Sequence, residues 1–598
     1  MARPASSSHE PGIQTQSIEF TDMSFSTYTH KRARCVFWER ILKRQVLSDL
    51  YGAFRTGTIT TILGPSGCGK TTLMNALAGR AIVGKYFSYT LGVEVSIDGS
   101  VINPVHHRSE FGFVHAHETL FPTDTPVESF EFVLKLRGIG GQERVDEILR
   151  LLRLESCKDT VVGSATLKGL SSGEQKRVSI GLELISDCKY IFLDEPTSGL
   201  DSSTALEVIG LIRQYATRSK ACIICVLHQP SNKILELIDD IVFMTRDGRI
   251  CYWGSPTDLV GYFASQGYDC PPEYSPADYI MFLLQTLGDA AIDNLVAVFE
   301  PCMHKIQDNI ESQRGLQRDQ EGHVFSGRTY SIKSWFRELH MLVVREYRST
   351  VRDLSVVVLR IMLAFIFGTL VSFLFFQVGD NDTGTIDSSH IGLVATLGIF
   401  ALVSSAQSLV VAYAIERPIM LREYASGLYS VSAYSLSKDV LEYPVVVVLV
   451  LIYLTLGYFI GGLQGSYLLL LLAMILLGLA SAATSFLFAA ASSTVDMGAM
   501  FATYVLVLET LLSGFFVRFD QIPQVLRWIQ WINPLKYGLS IMFIAEFNNE
   551  PGHEELFATD GIQPDMILFY IFMLIGLIII FRCAGILTLW LRTRKSVV

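Results

Sequence analysis

Between residues 355 and 591 the chain falls into about six long apolar runs, at 355–377, 391–415, 444–462, 466–491, 497–517 and 566–591. Each is near the roughly 20 residues a helix needs to cross a bilayer. A single run of this kind also suits a buried core helix. Six in succession predict an all-α membrane region, because in lipid a backbone must satisfy its own polar groups. Up to about Arg352 the composition is that of a soluble α/β protein, so the 50% hydrophobic average over 598 residues hides a sharp divide. The expected organisation is a disordered N-terminus over 1–16, an α/β domain over 17–300, a polar linker over 301–329, a connecting helix over 330–353 and a membrane domain over 354–598.

Charge orients the membrane region. Lys333, Arg337, Arg345, Arg348 and Arg352 precede the first run, Arg417, Arg422 and Lys438 lie between the second and third, and Arg592, Arg594 and Lys595 follow the sixth. The loop at 379–390 has acids but no Lys or Arg. The positive-inside rule then expects a multi-pass protein with both termini in the cytosol. The start, MARPASSSHEPG, has no apolar core, so no cleavable signal peptide is expected. Residues 330–348 mix aromatic and basic residues, as a helix at a membrane surface does. Asn381-Asp382-Thr383, in the first outer loop, is either a glycosylation acceptor or an unused polar triplet. A net charge of −10 with no basic tract excludes a nucleic-acid partner. The ten cysteines show no metal-ligand spacing, and Cys222 and Cys225, a CxxC inside an apolar strand-like run, read as buried thiols.

The soluble half carries a phosphate-binding pattern. A β-branched apolar run at 58–63 and a helical run at 72–78 flank GPSGCGKTT, made of Gly64, Pro65, Ser66, Gly67, Cys68, Gly69, Lys70, Thr71 and Thr72. Glycines there let backbone N–H groups turn toward phosphates at a helix N-terminus. Lys70 then reaches the β- and γ-phosphates of ATP, and the Thr71 hydroxyl ligates Mg²⁺. A second apolar strand, 190–193, ends in Asp194 and Glu195. An Asp at such a strand end holds Mg²⁺, and the adjacent Glu is placed to act as general base on water. The plain alternatives are a tight glycine turn and two solvated carboxylates.

With GLSSGE at 169–174, SGLD at 198–201 and His228 after the apolar run 222–227, residues 18 to 300 resemble an ATP-binding-cassette (ABC) ATPase domain, an α/β P-loop fold. The resemblance implies that Ser171 and the Gly173 N–H contact the γ-phosphate of the opposite subunit's ATP. It implies that Asp201 is the D-loop aspartate, that His228 contacts the γ-phosphate beside Lys70 and Glu195, and that Phe25 stacks on adenine. Two departures stand out. Ser172 stands where most members have glycine. In the segment 113–118, FVHAHE, the expected Q-loop glutamine is Ala116, flanked by His115 and His117. Either a histidine substitutes, or this site hydrolyses slowly beside a stronger site on a different partner. One phosphate loop and one signature per chain imply a dimer, with an identical or a different half.

Residues 416–444 and 522–546 resemble the coupling loop and the outer re-entrant segment of the G subfamily, the White and pleiotropic-drug-resistance type, in half-size form. That resemblance implies ATP-driven export of a lipophilic or amphipathic substrate (a sterol, another lipid or a xenobiotic) from membrane lipid, with the plasma membrane as the expected location. Phe515 and Phe516 match an apolar pair that closes the outer cavity. Glu509, a carboxylate in an apolar run, is either a substrate contact or a packing residue, and Ser404, Ser405 and Gln407 are its expected companions. Arg582 is expected to snorkel to the cytosolic face. Residues 548–565 have no cysteine, so no outer disulfide is expected. Rival readings are an importer, against which the fused layout argues, and an ATP-binding regulatory or channel subunit with weak turnover.

Overall fold

The computed structural model describes residues 17–32, 39–80, 87–97, 100–108, 110–116, 119–164, 167–317, 332–380, 386–517, 521–550 and 553–597. Residues 1–16, His117, Glu118, Asn381, Asp382, Thr383 and the Gln407 side chain, about which expectations were stated, lie outside them. Two compact units emerge. One is drawn from Met1–Tyr330, Leu421–Leu428 and Lys595–Val598, the other from Ser331–Met420 and Tyr429–Arg594.

Among the described residues of the first unit ten strands follow one another: β1 (Ser17–Arg32), β2 (Glu39–Arg55), β3 (Ile59–Leu63), β4 (Phe87–Ile97), β5 (Ser100–Ile102), β6 (Phe111–Val114), β7 (Tyr190–Asp194), β8 (Cys222–Val226), β9 (Asp240–Met244) and β10 (Ile250–Gly254). An antiparallel sheet runs β2-β1-β4-β5. A second sheet runs β10-β9-β3-β8-β7-β6, parallel except at its β10 edge. Every residue of β3, β7 and β8 is buried. Such continuous apolar strands form where both faces of a parallel sheet are covered, which also explains why Cys222 and Cys225 are inert thiols pushed far up by burial.

The order β3-β8-β7-β6 positions the chemistry. The glycine loop follows β3, His228 lies beyond β8, Asp194 ends β7, and His115 and Ala116 follow β6. Four neighbouring strand ends thus collect motifs far apart in the chain, at the carboxyl edge where open α/β sheets bind ligands. Phe25 is buried in the core cluster beside Leu47, its β2 partner, which leaves its ring enclosed rather than presented to a base. Helix Asp289–Gln317 runs through Pro301 into the stretch expected as a linker.

Among the described residues of the second unit, five helices are long and apolar enough to cross a membrane: Ser355–Leu374, Ser388–Ser405 (the first part of a longer helix), Val431–Gly461, Tyr467–Ala491 and Pro564–Arg594. The run expected at 497–517 forms the shorter helix Val495–Leu511. Small residues allow close packing. A Cβ on Gly538 would come within 2.2 Å of Leu477, so helices Pro534–Phe547 and Tyr467–Ala491 meet only because residue 538 has none. Helix Ile332–Arg352 exposes Ile332, Phe336, Tyr347 and Val351 on one face and buries Glu338, Leu342 and Arg345 on the other. Glu338 accepts from the Ser430 N–H at 2.9 Å.

Arg582 corrects an expectation. Rather than snorkelling, it is buried, donates from Nε to Asp439 at 2.7 Å and lies 4.2 Å over the Phe486 ring. A buried guanidinium is tolerated where a carboxylate and an aromatic face replace water. Asp439 lies on helix Val431–Gly461, out of reach of a local sequence reading.

Candidate functional site

The glycine loop has the backbone its sequence demands. Gly64, Gly67 and Gly69 have φ of 157°, 79° and 104°. At Gly69 a Cβ would also lie 2.7 Å from Leu47, so only glycine fits there. Gly69 caps helix Lys70–Leu77 without a side-chain bond, which leaves the helix N–H groups facing the loop. Lys70 is buried, and its ammonium donates to the carbonyls of Gly64 at 2.7 Å and Pro65 at 2.9 Å. Ser66, beside the buried Pro65, meets His228 Nε2 at 3.3 Å, and both side chains are exposed on this edge. Cys68 is buried, and burial pushes its thiol up. Thr72 lies one step further into the helix, half-buried.

The Thr71 hydroxyl donates to Asp194 Oδ1 at 3.1 Å. Burial raises the Asp194 carboxyl, and the Thr71 bond and the charges of Lys176 and Lys70 work against that rise. Glu195 has a left-handed backbone, with φ of 48°, and its N–H donates to the Val226 carbonyl at 3.1 Å. A non-glycine residue held this way stores strain, and the β8 carbonyl is what holds it. Among the described residues no group of three His, Cys, Asp or Glu side chains makes a metal cage. Two hard oxygen donors at hydrogen-bond distance, Thr71 and Asp194, do fit Mg²⁺, which keeps water and phosphate oxygens for most of its shell.

Ser171 caps helix Ser172–Leu184 in a capping box: the Glu174 carboxylate accepts from the Ser171 N–H and hydroxyl, both at 2.8 Å. The Ser171 backbone bond, foremost, lowers the Glu174 carboxyl. Ser171 and Ser172 are exposed, and Gly173 packs near the Thr204 methyl. Asp201 caps the next helix, Ser202–Ser219, through Ser203 N, Thr204 N and the Thr204 hydroxyl. Its carboxylate thus has a structural duty of its own.

Two features escaped the motif reading. Lys176 is fully buried and donates to the Ala116 carbonyl at 2.7 Å. Seven residues on, Glu183 accepts from the Phe113 N–H at 3.4 Å. A helical period linking Lys176, Ile180 and Glu183 on one buried face was the signal available. Near them His115 packs 4.8 Å from Phe113, and burial, with Arg80 and Arg422, lowers its imidazole to about 4. The nearby Arg80 is buried as well, and donates to the Ser426 hydroxyl at 3.3 Å in the Leu421–Leu428 segment of the same unit.

In the second unit Glu509 is buried, its Oε2 has no hydrogen-bond partner among the described residues, and its carbonyl accepts from Asn533 at 2.7 Å. Phe515 and Phe516 stack edge-to-face 4.9 Å apart just beyond that helix, with Phe516 exposed. Ser404 and Ser405 both donate to the Ala401 carbonyl. Ser405 is fully buried against Gly478, a packing position without free surface.

Three family models match: residues 47–198 an ABC transporter model, and 337–547 and 228–295 two ABC-2 type transporter models. ABC transporter G family member 8 of Arabidopsis thaliana is 30% identical over 494 residues, covering 82% of this chain and 79% of that protein. The ABC transporter ATP-binding protein/permease wht-1 of Caenorhabditis elegans is 29% identical over 577 residues, covering 91% and 82%. The broad substrate specificity ATP-binding cassette transporter ABCG2 of Sus scrofa is 27% identical over 589 residues, covering 91% and 86%. An ATPase unit built around a glycine loop, joined to a helical membrane unit and similar to these proteins over most of its length, is an ATP-hydrolysing transporter, and the chain belongs to the G family of ABC transporters.

Proposed function

We propose that the chain is a half-transporter that exports a lipophilic or amphipathic substrate, a sterol, another lipid or a xenobiotic, as a dimer. The convergence of Lys70, Thr71, Asp194, Glu195 and His228 on neighbouring strand ends carries this reading. Lys70 neutralises the β- and γ-phosphates, with Gly64–Thr72 backbone groups around them. Glu195 takes the proton of the attacking water, and His228 holds the γ-phosphate. Thr71 and Asp194 would hold Mg²⁺, which supplies charge neutralisation on the phosphates when bound. Ser171 and Gly173, exposed or half-exposed beside Asp201, complete the partner's site, and a second half-transporter, identical or different, is therefore required. Leu421–Leu428 grouping with the ATPase unit supports its role as the coupling segment. We place both termini in the cytosol and the protein in the plasma membrane.

For the substrate, Glu509 is the favoured contact, since a buried carboxylate oxygen without a partner is costly unless something else meets it. Ser404, Phe515 and Phe516 remain on the proposed path. ATP turnover of the full chain in lipid, with and without a sterol or an amphipathic amine, tests the reading. Stimulation should vanish in Glu509→Gln while basal turnover holds. Unchanged stimulation by every compound would remove Glu509 from the path. Ala116 supports a second reading, a weakly hydrolysing subunit that needs a different partner; turnover appearing only in Ala116→Gln, or only with a second half-transporter, would favour it.

A further inference from the structure

Lys176 has no place in the nucleotide chemistry derived above, yet it is among the largest fully buried side chains of the molecule. A buried ammonium is costly unless polar partners replace its water. The Ala116 carbonyl is one, at 2.7 Å. Val114 of β6 pairs with Leu193 of β7, so the segment after β6 that Lys176 grips runs beside Asp194. The same helix grips the same segment a second time, through Glu183 and the Phe113 N–H. Both grips lie on the helix that Ser171 caps. The helix carrying the exposed signature residues is therefore fastened to the end of β6 and held beside the end of β7. Residue 116 contributes only its backbone to this link, so the link survives an alanine there.

We propose that Lys176 is a positioning residue for ATP hydrolysis: it ties the signature helix to the segment after β6 and holds both in register with Asp194. Displacement of Ser171 by a partner subunit is then passed through Lys176 to the metal-binding and hydrolytic carboxylates. This rests on the assignment of Asp194 and Glu195 as those carboxylates.

The test uses the full chain in lipid, with Lys176→Met, Lys176→Arg and the control Lys70→Ala. ATP turnover is measured alongside equilibrium binding of mant-ATP with and without Mg²⁺. Lys176→Arg, which keeps charge and donor, should stay near the parent. Lys176→Met should lose about tenfold to a hundredfold in turnover, the scale of a misplaced catalytic group. It should also lose the gain in mant-ATP affinity that Mg²⁺ confers, while metal-free affinity holds. Parent-like turnover and Mg²⁺ response in Lys176→Met, with Lys70→Ala inactive, would overturn the inference alone. So would a Lys176→Arg chain as impaired as Lys176→Met. Turnover that survives Lys70→Ala would take down the site assignment and this inference with it. If Lys176→Met does not fold, Lys176→Gln keeps a donor for Ala116 without the charge: a lost Mg²⁺ response supports the role, and a parent-like one overturns it.

Discussion

The two units use charge in opposite ways. In the ATPase unit the polar groups of the site sit at or just beyond strand ends, where Glu195, His228 and the Thr71 hydroxyl face an accessible edge. In the membrane unit charges bind helices together. Arg360 pairs with Glu442 at 2.8 Å, Arg582 with Asp439, and Lys438 with both Glu346 and Glu416 at 2.5 Å. Lys438, Asp439 and Glu442 all lie on helix Val431–Gly461, which thereby holds four other helices. A strand end leaves a charge free to meet a ligand, whereas a packed helix face demands that its partner be built in. Among the described residues of the second unit Glu509 departs from this pattern, with a buried carboxylate oxygen that no hydrogen bond meets and that none of these ion pairs includes, and that is why it reads as functional there.

The largest expected effect breaks the contrast at its chemical end. Glu195→Gln should lower ATP turnover by about 10²–10⁴-fold, as loss of a general base does, with ATP binding intact. Single-turnover kinetics beside nucleotide binding decide it; parent-like turnover would move the base elsewhere. Next, Asp439→Leu should destabilise the membrane unit by roughly 3–5 kcal/mol by stranding Arg582, and the double change Asp439→Leu with Arg582→Leu should recover most of it. Thermal unfolding in detergent reads both, and equal loss in single and double variants would deny the pairing.

A smaller effect concerns pH. His115 is held at about 4, below the ordinary 6.5, chiefly by burial. Between those values the unfolded chain binds the proton that the folded chain refuses. The stability present above pH 6.5 is thus lost as pH falls through 4, about 3 kcal/mol. His115→Asn should flatten that slope in acid unfolding of the full chain. Smallest is Thr125→Ala, which removes the capping box that Thr125 forms with Glu128 at the start of helix Pro126–Arg137, at about 1 kcal/mol. Thermal shifts resolve it, and an unchanged midpoint would mean the cap is redundant.

The glycine loop was legible because its requirements are local: positive φ at fixed positions and a lysine and a threonine just after. The membrane region was legible because hydropathy over one helix length is a local property too. The later part of helix Asp289–Gln317 was not: Ile292, Leu295 and Phe299 are buried at helical spacing before Pro301, but the sequence beyond it turns polar and a helix still continues there. Arg582 was read as snorkelling because its partner lies 143 residues away. The shorter helix at Val495–Leu511 shows that apolar composition does not by itself set where a helix stops.

By itself the sequence determined the two kinds of solvent this protein meets and the parts of the proposed phosphate site, since hydropathy and backbone grammar act over a few residues. Only the tertiary structure decided which parts work together. The strand order β3-β8-β7-β6 set Lys70, His228, Asp194 and Ala116 along one edge, and packing buried Lys176 against the Ala116 carbonyl and Arg582 against Asp439. The reason is physical: a buried charge has to find its partner in space, and which residue is near in space is settled by packing rather than by distance along the chain.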